Sequence, residues 1–344
     1  MKMAFTHPVR SASGLTYADT GLDHGEVVYV PGCAWTNCSD AQSDFPPAVA
    51  AAKTAKLAVV VLGTLGWDKQ NDGENPSPNA YEREGHDRTS IALAGNQYKL
   101  AAELAASGTP VVCVLMHGGS IKLGSLLEDC TAIVDTWFPG QQGGAGFADL
   151  LFGKVSAGGR SPQTYYKDDA ELPPLGNMDL YQGKGTTYRY YSGKPVIPFG
   201  FGLSFTTFSY SNLQLSASSI GHCDSVKVTV TVTNTGERDG DEVVQLYVKT
   251  PGASVKAPRI RLADFTRVTI PTRGSATVEL ELSPKYHSVV MSENSTSFWH
   301  PSIMIEAGEF ELHVGGGQPE LTAGTLSANV DVREAGALNT RYRC

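Results

Sequence analysis

The apolar run LAVVVLG, residues 57–63, decides the fold class predicted for the first half of the chain. It is short, continuous and free of polar alternation, which is typical of a strand buried on both faces of a parallel sheet. Similar strands are predicted at residues 26–30, 110–116 and 131–137. Helix-like segments accompany these strands at residues 45–55, 96–107, 120–127 and 144–153. The alternation predicts an α/β fold, a three-layer α/β sandwich with a mostly parallel sheet.

The second half of the chain follows a different pattern. In VKVTVTVTNTG, residues 226–236, apolar and polar side chains alternate with a period of two, and DEVVQLYVK at 241–249 follows a GERDG turn. Further short strands are predicted at residues 263–270, 275–282, 309–316 and 325–332. Short strands with turn signals between them predict an all-β sandwich after the α/β part.

Composition excludes several classes of protein. The 344 residues are 41% hydrophobic and 18% charged, as in ordinary globular proteins. A net charge of −8 without a basic run argues against nucleic acid or an anionic membrane surface as a partner. The longest apolar stretch is well short of the roughly 20 residues that a membrane span needs. We therefore expect neither a nucleic-acid nor a membrane partner.

The cysteines bear on cofactors and on the compartment. None of the six shows a spacing typical of a metal site, so neither a metal nor another cofactor is predicted. Cys33 and Cys38 are close enough to form a small disulfide loop, whereas Cys113 lies in an apolar strand and is predicted to be a buried free thiol. Glycosylation sequons begin at Asn37 and Asn294. These features favour an extracellular protein, although the first residues lack the apolar segment of a signal peptide.

Three polar loops are expected at one edge of the predicted sheet. The cluster of charges at residues 82–88 follows the segment NDGENPSP, 71–78, which is too rich in Gly, Pro and Asn for a helix. It therefore belongs to a loop that leaves the strand at 57–63. The segments MHGGS, 116–120, and WFPGQQGG, 137–144, leave the next two strands. Because ligands bind at the carboxyl ends of parallel strands, these loops predict a binding cleft.

Three long segments carry a family resemblance. YEREGHDRTSIALAGNQ at 81–97, TWFPGQQGGAGFADLLFGKVSAGGRSPQTYY at 136–166 and TYRYYSGKPVIPFGFGLSFTTF at 187–208 resemble the carboxy-terminal half of glycoside hydrolase family 3. The resemblance is closest to the β-xylosidases of plants and fungi. VTVTNTGERDGDEVVQLYVK, 230–249, resembles the fibronectin type III-like domain of that family. The resemblance extends over residues 28–332.

The resemblance, together with the patterns, predicts the organisation of the chain. The predicted parts are an N-terminal extension at 1–25, the family's C-terminal α/β-sandwich domain at 26–165, an aromatic, Gly- and Pro-rich connector at 166–210, the fibronectin type III-like domain at 211–335, and a tail at 336–344.

The family also implies a reaction. Its members release terminal sugars with retention of configuration, using an aspartate nucleophile on a (β/α)₈ barrel and an acid/base glutamate on the next domain. Retention requires two carboxyl groups about 5–5.5 Å apart. By similarity the acid/base is Glu84, if the chain is aligned on Asp87 and Arg88, or Glu82, if it is aligned on the xylosidase form with an apolar residue before the glutamate. The sequence leaves this choice open.

Three other residues are candidates for binding the sugar. They are Arg88, Trp67 and His117. Each has a structural alternative: Arg88 can orient the loop by ion pairing, Trp67 can belong to the core, and His117 can be an ordinary loop residue. The sugar itself, whether xylose, arabinose or glucose, cannot be identified from this sequence.

The sequence departs from the family in one respect. No eight βα units and no barrel aspartate are recognised in it, so we expect the chain to be inactive alone. The expected function is that of the C-terminal portion of a retaining, exo-acting β-xylosidase-like enzyme of plant cell-wall polysaccharide, with a xyloside or oligosaccharide as substrate and a separate barrel chain as candidate partner. Whether the chain itself counts as an enzyme stays open. The alternative is a non-catalytic carbohydrate-binding or structural module derived from such an enzyme.

Overall fold

The fold is taken from a computed structural model of the chain. It describes residues 2–6, 26–33, 38–39, 45–66, 81–82, 87–291 and 302–339. The chain forms two compact units, the first made of Met1–Phe152 and Tyr165–Gly176 and the second of Gly153–Thr164 and Asn177–Cys344. The predicted domain boundaries stay predictions.

The first unit contains a parallel sheet. Its strands are β1 (Lys2–Thr6), β2 (Glu26–Tyr29), β3 (Leu57–Gly63), β4 (Leu65–Gly66), β5 (Tyr81–Glu82), β6 (Val111–Met116) and β7 (Ala132–Asp135). Five of them form one sheet in the order β2-β1-β3-β6-β7, and every neighbouring pair is parallel. The short strands β4 and β5 pair separately, also in parallel.

Helices accompany the strands of this unit. They are α1 (Phe45–Lys53), α2 (Gln97–Ala105), α3 (Leu126–Asp129) and α4 (Gly143–Leu151). Helix α2 buries Leu100, Ala101 and Leu104. Helix α4 places Phe147 and Leu151 against a cluster of strand valines that includes Val59, Val112 and Val114. The predicted α/β sandwich with a mostly parallel sheet is confirmed.

Two differences from the sequence patterns concern α3 and β1. Strand β3 occupies the predicted range 57–63. Helix α3 is shorter than the helix predicted at 120–127 and begins later, at Leu126, to end at Asp129. Strand β1 was not predicted, because Lys2–Thr6 lies in the segment treated as an extension; it pairs with both β2 and β3. A five-residue run has too little pattern to reveal pairing with distant strands.

The described cysteines are disulfide-bonded. The bond expected between Cys33 and Cys38 is present, but the prediction of a free thiol at Cys113 is wrong, because Cys113 is bonded to Cys130. The tertiary fold explains this, since Cys130 directly follows α3 and its Cα lies 5.8 Å from that of Cys113 in β6, a separation that a disulfide can span. Cys223 is also disulfide-bonded.

The second unit is built from antiparallel sheets. Its strands are β8 (Phe208–Leu215), β9 (Ser219–Ile220), β10 (Val226–Asn234), β11 (Gly240–Lys249), β12 (Arg261–Ile270), β13 (Ser275–Leu282), β14 (Val289–Met291), β15 (Ser302–Ile305), β16 (Gly308–Gly315), β17 (Leu326–Val332) and β18 (Gly336–Leu338), with short helices α5 (Thr187–Tyr190) and α6 (Pro284–His287). The sheets have the orders β13-β10-β8, β12-β11-β16-β17-β9 and β14-β15-β18.

One hydrophobic core joins these sheets. Val226, Val228, Val230 and Val232 alternate along β10 and are fully buried, as the period of two predicts. They share the core with side chains from β11, β13, β16 and β17. The predicted all-β, fibronectin type III-like sandwich is confirmed. No helix in the described part of the chain is long and apolar enough to cross a membrane.

Candidate active site

Three parallel strands end side by side and form the edge on which the candidate site is built. Gly63 of β3 pairs with Met116 of β6, and Leu115 of β6 pairs with Asp135 of β7. The amide of Thr64 extends this pairing by donating to the carbonyl of Met116 over 2.9 Å. The loops that follow the three strands therefore leave from one edge, which is where parallel sheets bind ligands.

The short β4–β5 pair brings Glu82 to this edge. Gly66 pairs with Glu82, so residue 82 lies beside the chain that follows β3. The Oε1 atom of Glu82 accepts a hydrogen bond from Thr64 Oγ1 at 3.0 Å and lies 3.2 Å from Arg88 Nη2. The Glu82 side chain is 19% exposed and that of Arg88 only 8%. This shielding reduces screening by salt, and the two contacts fix the orientation of the carboxylate.

Arg88 also contacts the loop after β6. Its Nη2 donates to the carbonyl oxygen of Ser120. Its Nη1 is buried and has no hydrogen-bond partner among the residues that the structure describes. The sequence left two roles open for Arg88, orientation of the loop by ion pairing and contact with a sugar. The structure contains the ion pair, with Glu82. The contact with a sugar stays a prediction.

Two glycines lie against Glu82 where a side chain would not fit. A Cβ atom on Gly119 would come within 2.9 Å of Glu82 Oε2 and 3.3 Å of Arg88 Nη2. On Gly118 it would come within 2.7 Å of the Phe138 ring and 3.4 Å of Glu82 Cγ. The loops after β6 and β7 thus both approach Glu82, as expected for three loops that share one edge.

Gln97, the first residue of α2, fixes the end of β3. Its side chain is 1% exposed; Nε2 donates to the Gly63 carbonyl at 3.0 Å, and Oε1 accepts from the Gly63 amide at 2.7 Å. Gly63 has a φ of 150°, and a Cβ there would lie 1.7 Å from the carbonyl oxygen of Met116. Only glycine allows β3 and β6 to stay paired at this point.

His117 lies buried beneath the same loop. Its Nδ1 is 2.7 Å from the carbonyl oxygen of Gly119, and its Nε2 is 3.1 Å from Asp135 Oδ1. The side chain has no exposed surface. The imidazole is therefore enclosed by protein groups, and the substrate contact predicted for His117 stays a prediction.

Asp135 is an ionised partner for this imidazole. Burial opposes its ionisation, but hydrogen bonds from His117 and from the Tyr165 hydroxyl outweigh that effect and lower the pKa of Asp135 below its ordinary value. The Trp137 amide adds a further hydrogen bond of 3.2 Å to Oδ1. A carboxylate thus faces His117 at the end of β7.

Two predicted site residues cannot be placed. Glu84 and Trp67 lie outside the described residues, so their roles stay predictions. Within the described ranges, no three His, Cys, Asp or Glu side chains are grouped so that they could hold a metal ion.

The structure adds four residues that were not selected from the sequence. Thr64 and Asp135 stand at or directly after strand ends, so the rule for ligand position in parallel sheets could have identified them. Gln97 and Tyr165 reach the edge from distant parts of the chain, and no local pattern marks them. Their contribution depends on tertiary structure.

Comparison with known proteins supplies the context of this site. Residues 7–205 match the glycosyl hydrolase family 3 C-terminal domain, and residues 242–318 match the fibronectin type III-like domain. The chain is 32% identical over 311 residues to a β-xylosidase of Formosa agariphila, covering 90% of this chain and 40% of that protein. It is also 32% identical over 349 residues to β-D-xylosidase 1 of Arabidopsis thaliana, covering 91% and 41%.

Solved structures show the same fold. The β-glucosidase of Bifidobacterium adolescentis superimposes with a TM-score of 0.75 at 27% identity, covering 96% of this chain and 49% of the other. The chain therefore spans less than half the length of the relatives it matches.

Proposed function

Because this chain belongs to glycosyl hydrolase family 3, we propose that it is the C-terminal portion of a retaining, exo-acting β-glycosidase. In this proposal the chain supplies the acid/base carboxyl group and part of the sugar site. The substrate class is a terminal β-xylosyl or related residue of plant cell-wall polysaccharide. The names of the two β-xylosidase relatives support xylose as the sugar. The solved β-glucosidase supports the fold, and its substrate is not carried over to this chain. Particular closeness to plant and fungal xylosidases is part of the proposal.

One observation carries this proposal. Glu82 stands at the carboxyl edge of the parallel sheet with Oε1 engaged by Thr64 and Arg88. Its other oxygen, Oε2, lies beside Gly119, where even a methyl group would crowd it. A carboxyl group held by one oxygen, with the second set against a residue without a side chain, has the geometry to exchange a proton with a bound sugar.

The reaction places definite demands on this carboxyl group. In the first step its proton passes to the glycosidic oxygen while the bond from that oxygen to the anomeric carbon breaks and a carboxylate oxygen of the nucleophile bonds to the same carbon. In the second step a water oxygen attacks the anomeric carbon, the bond to the nucleophile breaks, and the water proton passes to the carboxyl group that acted as acid. Glu82 and Glu84 are the two candidates for this group.

The nucleophile is proposed to come from a (β/α)₈-barrel partner. Retention requires a second carboxylate about 5–5.5 Å from the acid. The sequence analysis identified no nucleophile among the described residues. Asp135 is a carboxylate near this edge, but its two oxygens already contact His117 and Tyr165. We therefore propose a barrel domain, on a separate chain or in a longer protein, as the source of the second carboxylate.

A complementation assay tests the proposal. The full chain is assayed on an aryl β-xyloside alone and after mixing with the purified part of Arabidopsis β-D-xylosidase 1 that this chain does not match, the proposed source of the barrel. We expect no turnover alone and turnover in the mixture, with loss of at least about 100-fold on substitution of the true acid/base, Glu82→Gln or Glu84→Gln. Hydrolysis by the chain alone, or full activity of both variants in the mixture, would overturn the proposal.

An extracellular location is a further part of the proposal. Disulfides persist in oxidising compartments, and two are placed in the first unit, Cys33–Cys38 and Cys113–Cys130. Glycosylation at Asn37 and Asn294 is proposed from the sequons alone, since both residues lie outside the described part of the chain. Mass spectrometry of the protein from its native source, before and after deglycosylation, tests both points. Free thiols at all four cysteines would contradict the proposed location.

A further inference from the structure

His117 is enclosed on every side that the structure describes. It follows β6 directly and stacks at a tilt on the Trp137 ring, with 4.9 Å between ring centroids. The ring of Tyr165 stands at right angles to it at 6.4 Å. The polar groups that face the imidazole are the Gly119 carbonyl, the Asp135 carboxylate and the Tyr165 hydroxyl.

Both imidazole nitrogens face oxygen atoms that can only accept. A backbone carbonyl and an ionised carboxylate have no hydrogen to donate. The Tyr165 hydroxyl directs its hydrogen to Asp135 Oδ2, so it offers none to the imidazole nitrogen 3.4 Å away. Contacts of 2.7 Å to Gly119 and 3.1 Å to Asp135 are therefore hydrogen bonds only if both nitrogens of His117 carry a hydrogen.

The charge on Asp135 makes this arrangement electrostatically consistent. A buried cation is costly unless it is paired and hydrogen-bonded. Asp135 supplies the opposite charge, and its own second oxygen is satisfied by Tyr165. In a neutral His117, one nitrogen lone pair would point at an oxygen lone pair, at 2.7 Å in the case of Gly119.

The turn held by His117 is the turn that contacts the candidate acid. The carbonyl of Gly119 bonds to His117, and the carbonyl of the next residue, Ser120, bonds to Arg88. Gly119 also lies against Oε2 of Glu82, whose Oε1 is paired with Arg88. His117 and Arg88 thus hold adjacent carbonyls of one turn, and Arg88 is the charge partner of Glu82.

We propose that His117 is a positioning residue of the candidate site: as an imidazolium paired with Asp135, it holds the turn at Gly118–Ser120 against the carboxyl group of Glu82. The charge state and the anchoring of the turn stand independently of catalysis. Only the link between this turn and the acid/base group of a glycosidase rests on the proposed function.

Nitrogen-15 spectroscopy of the imidazole in the full chain tests the charge state. Near neutral pH, both His117 nitrogens are expected at the chemical shift of protonated imidazole nitrogens, with a hydrogen attached to each. In Asp135→Asn the counter-charge is absent, and one nitrogen is expected to lose its hydrogen. A wild-type spectrum with one unprotonated His117 nitrogen would overturn the proposal, and so would a doubly protonated imidazole in Asp135→Asn.

Amide exchange tests the anchoring of the turn. In His117→Gln we expect the amides of Gly119 and Ser120 to exchange at least about tenfold faster, because a hydrogen bond from a charged donor is lost. The carbon-13 resonance of the Glu82 carboxyl group should move in the same variant. The matched control His222→Gln, in the second unit, should change neither. A folded His117→Gln protein with unchanged exchange and an unchanged Glu82 resonance would overturn the proposal.

A milder variant covers the case in which His117→Gln does not fold. Tyr165→Phe removes the hydroxyl that donates to Asp135 Oδ2 and keeps the aromatic ring. It is expected to speed exchange at Gly119 by roughly threefold, and no change would count against the proposal. None of these readouts depends on glycosidase activity, so they separate failure of this proposal from failure of the proposed function.

Discussion

The hydroxyl of Thr64 and the carboxylate of Glu82 are hydrogen-bonded at 3.0 Å, although 18 positions of sequence separate them. Thr64 directly follows β3, and Glu82 is the last residue of β5. The bond therefore attaches the loop that carries the candidate acid to the rigid edge of the sheet. A carboxyl group on a rigid support retains its orientation, which a proton donor requires.

Substitution of Gly119 by alanine should reduce activity more than stability. The new Cβ would meet Glu82 Oε2 at 2.9 Å, and relief of this contact requires a shift of the end of that side chain but not of the backbone. We expect the free energy of unfolding to change by less than about 1 kcal/mol. In the barrel-complemented assay, kcat/KM should fall about 10- to 100-fold because the carboxyl group is displaced.

Gly146→Ala in α4 is the control for this substitution. No atom lies within 4 Å of the Cβ position there, and alanine is the better helix former. Stability should rise by up to about 1 kcal/mol with unchanged kcat/KM. Equal activity of Gly119→Ala and wild type would show that the contact with Glu82 Oε2 has no catalytic role.

Gln97→Leu should destabilise the first unit. The substitution keeps the approximate volume of the side chain but leaves the amide and carbonyl of Gly63 without their 2.7 and 3.0 Å partners in a buried position. We expect a loss of roughly 2–4 kcal/mol in the free energy of unfolding, measured by urea titration with exchange of the β3 and β6 amides. Gln214→Leu, at an exposed position of β8, should stay within about 0.5 kcal/mol of wild type. Similar effects of the two substitutions would argue against the role given to Gln97.

Arg160→Met should destabilise the second unit strongly. Arg160 Nη2 lies 2.7 Å from Glu242 Oε2, and both side chains are less than a tenth exposed. Burial raises the pKa of Glu242, although Arg160 and Tyr210 act in the opposite direction. Loss of the guanidinium leaves a buried unpaired carboxylate, which costs about 3–5 kcal/mol.

The cost of Arg160→Met should depend on pH. Without Arg160 the pKa of Glu242 in the folded state rises further above its unfolded value, so the folded state binds a proton more readily. The penalty therefore shrinks as the pH falls and grows as the pH rises. Arg273→Met provides a matched control, since its pair with Glu237 is largely exposed and contributes at most about 1 kcal/mol. A pH-independent penalty for Arg160→Met would contradict this explanation.

The second unit should lose stability in mild acid because of His287. Burial lowers the pKa of His287 from 6.5 to about 4, with a smaller contribution from Arg261. A histidine whose pKa is depressed on folding stabilises the protein fully above the unfolded value of 6.5 and loses that contribution as the pH falls toward about 4. The expected loss is about 3 kcal/mol over this range, measured by urea titration with exchange of the β10 and β16 amides.

Two variants isolate the contribution of His287. His287→Leu should remove most of this pH dependence. Phe310→Leu, which alters the ring that packs on His287 at 5.4 Å without removing a titrating group, should lower stability by a similar amount at every pH. If the acid sensitivity persists in His287→Leu, another group is responsible.

Much of the architecture was predictable because its signals are local. The run at 57–63 became β3 within the predicted limits, and the alternation in β10 placed all four of its buried valines. Such patterns reflect which faces of a single element are buried, so they can be recognised without knowledge of the partners.

The contacts at the candidate site were not predictable in the same way. The sequence identified Glu82 and Arg88 but left their roles open, and it did not reveal that His117 is enclosed by protein groups. It also predicted a free thiol at Cys113, which is bonded to Cys130. Each of these outcomes depends on which strands are neighbours, and the period of a strand carries no information about its neighbour.

By itself, then, the sequence determined the order of strands and helices, the change from a parallel to an antiparallel region, and the charged loop placed after a buried strand. Only the tertiary structure decided that Gly119 lies against Glu82 and that Tyr165 completes the Asp135–His117 pair. The physical reason is that periodicity follows from burial of one element, whereas these contacts follow from the register between strands and from chain segments that meet across long sequence separations.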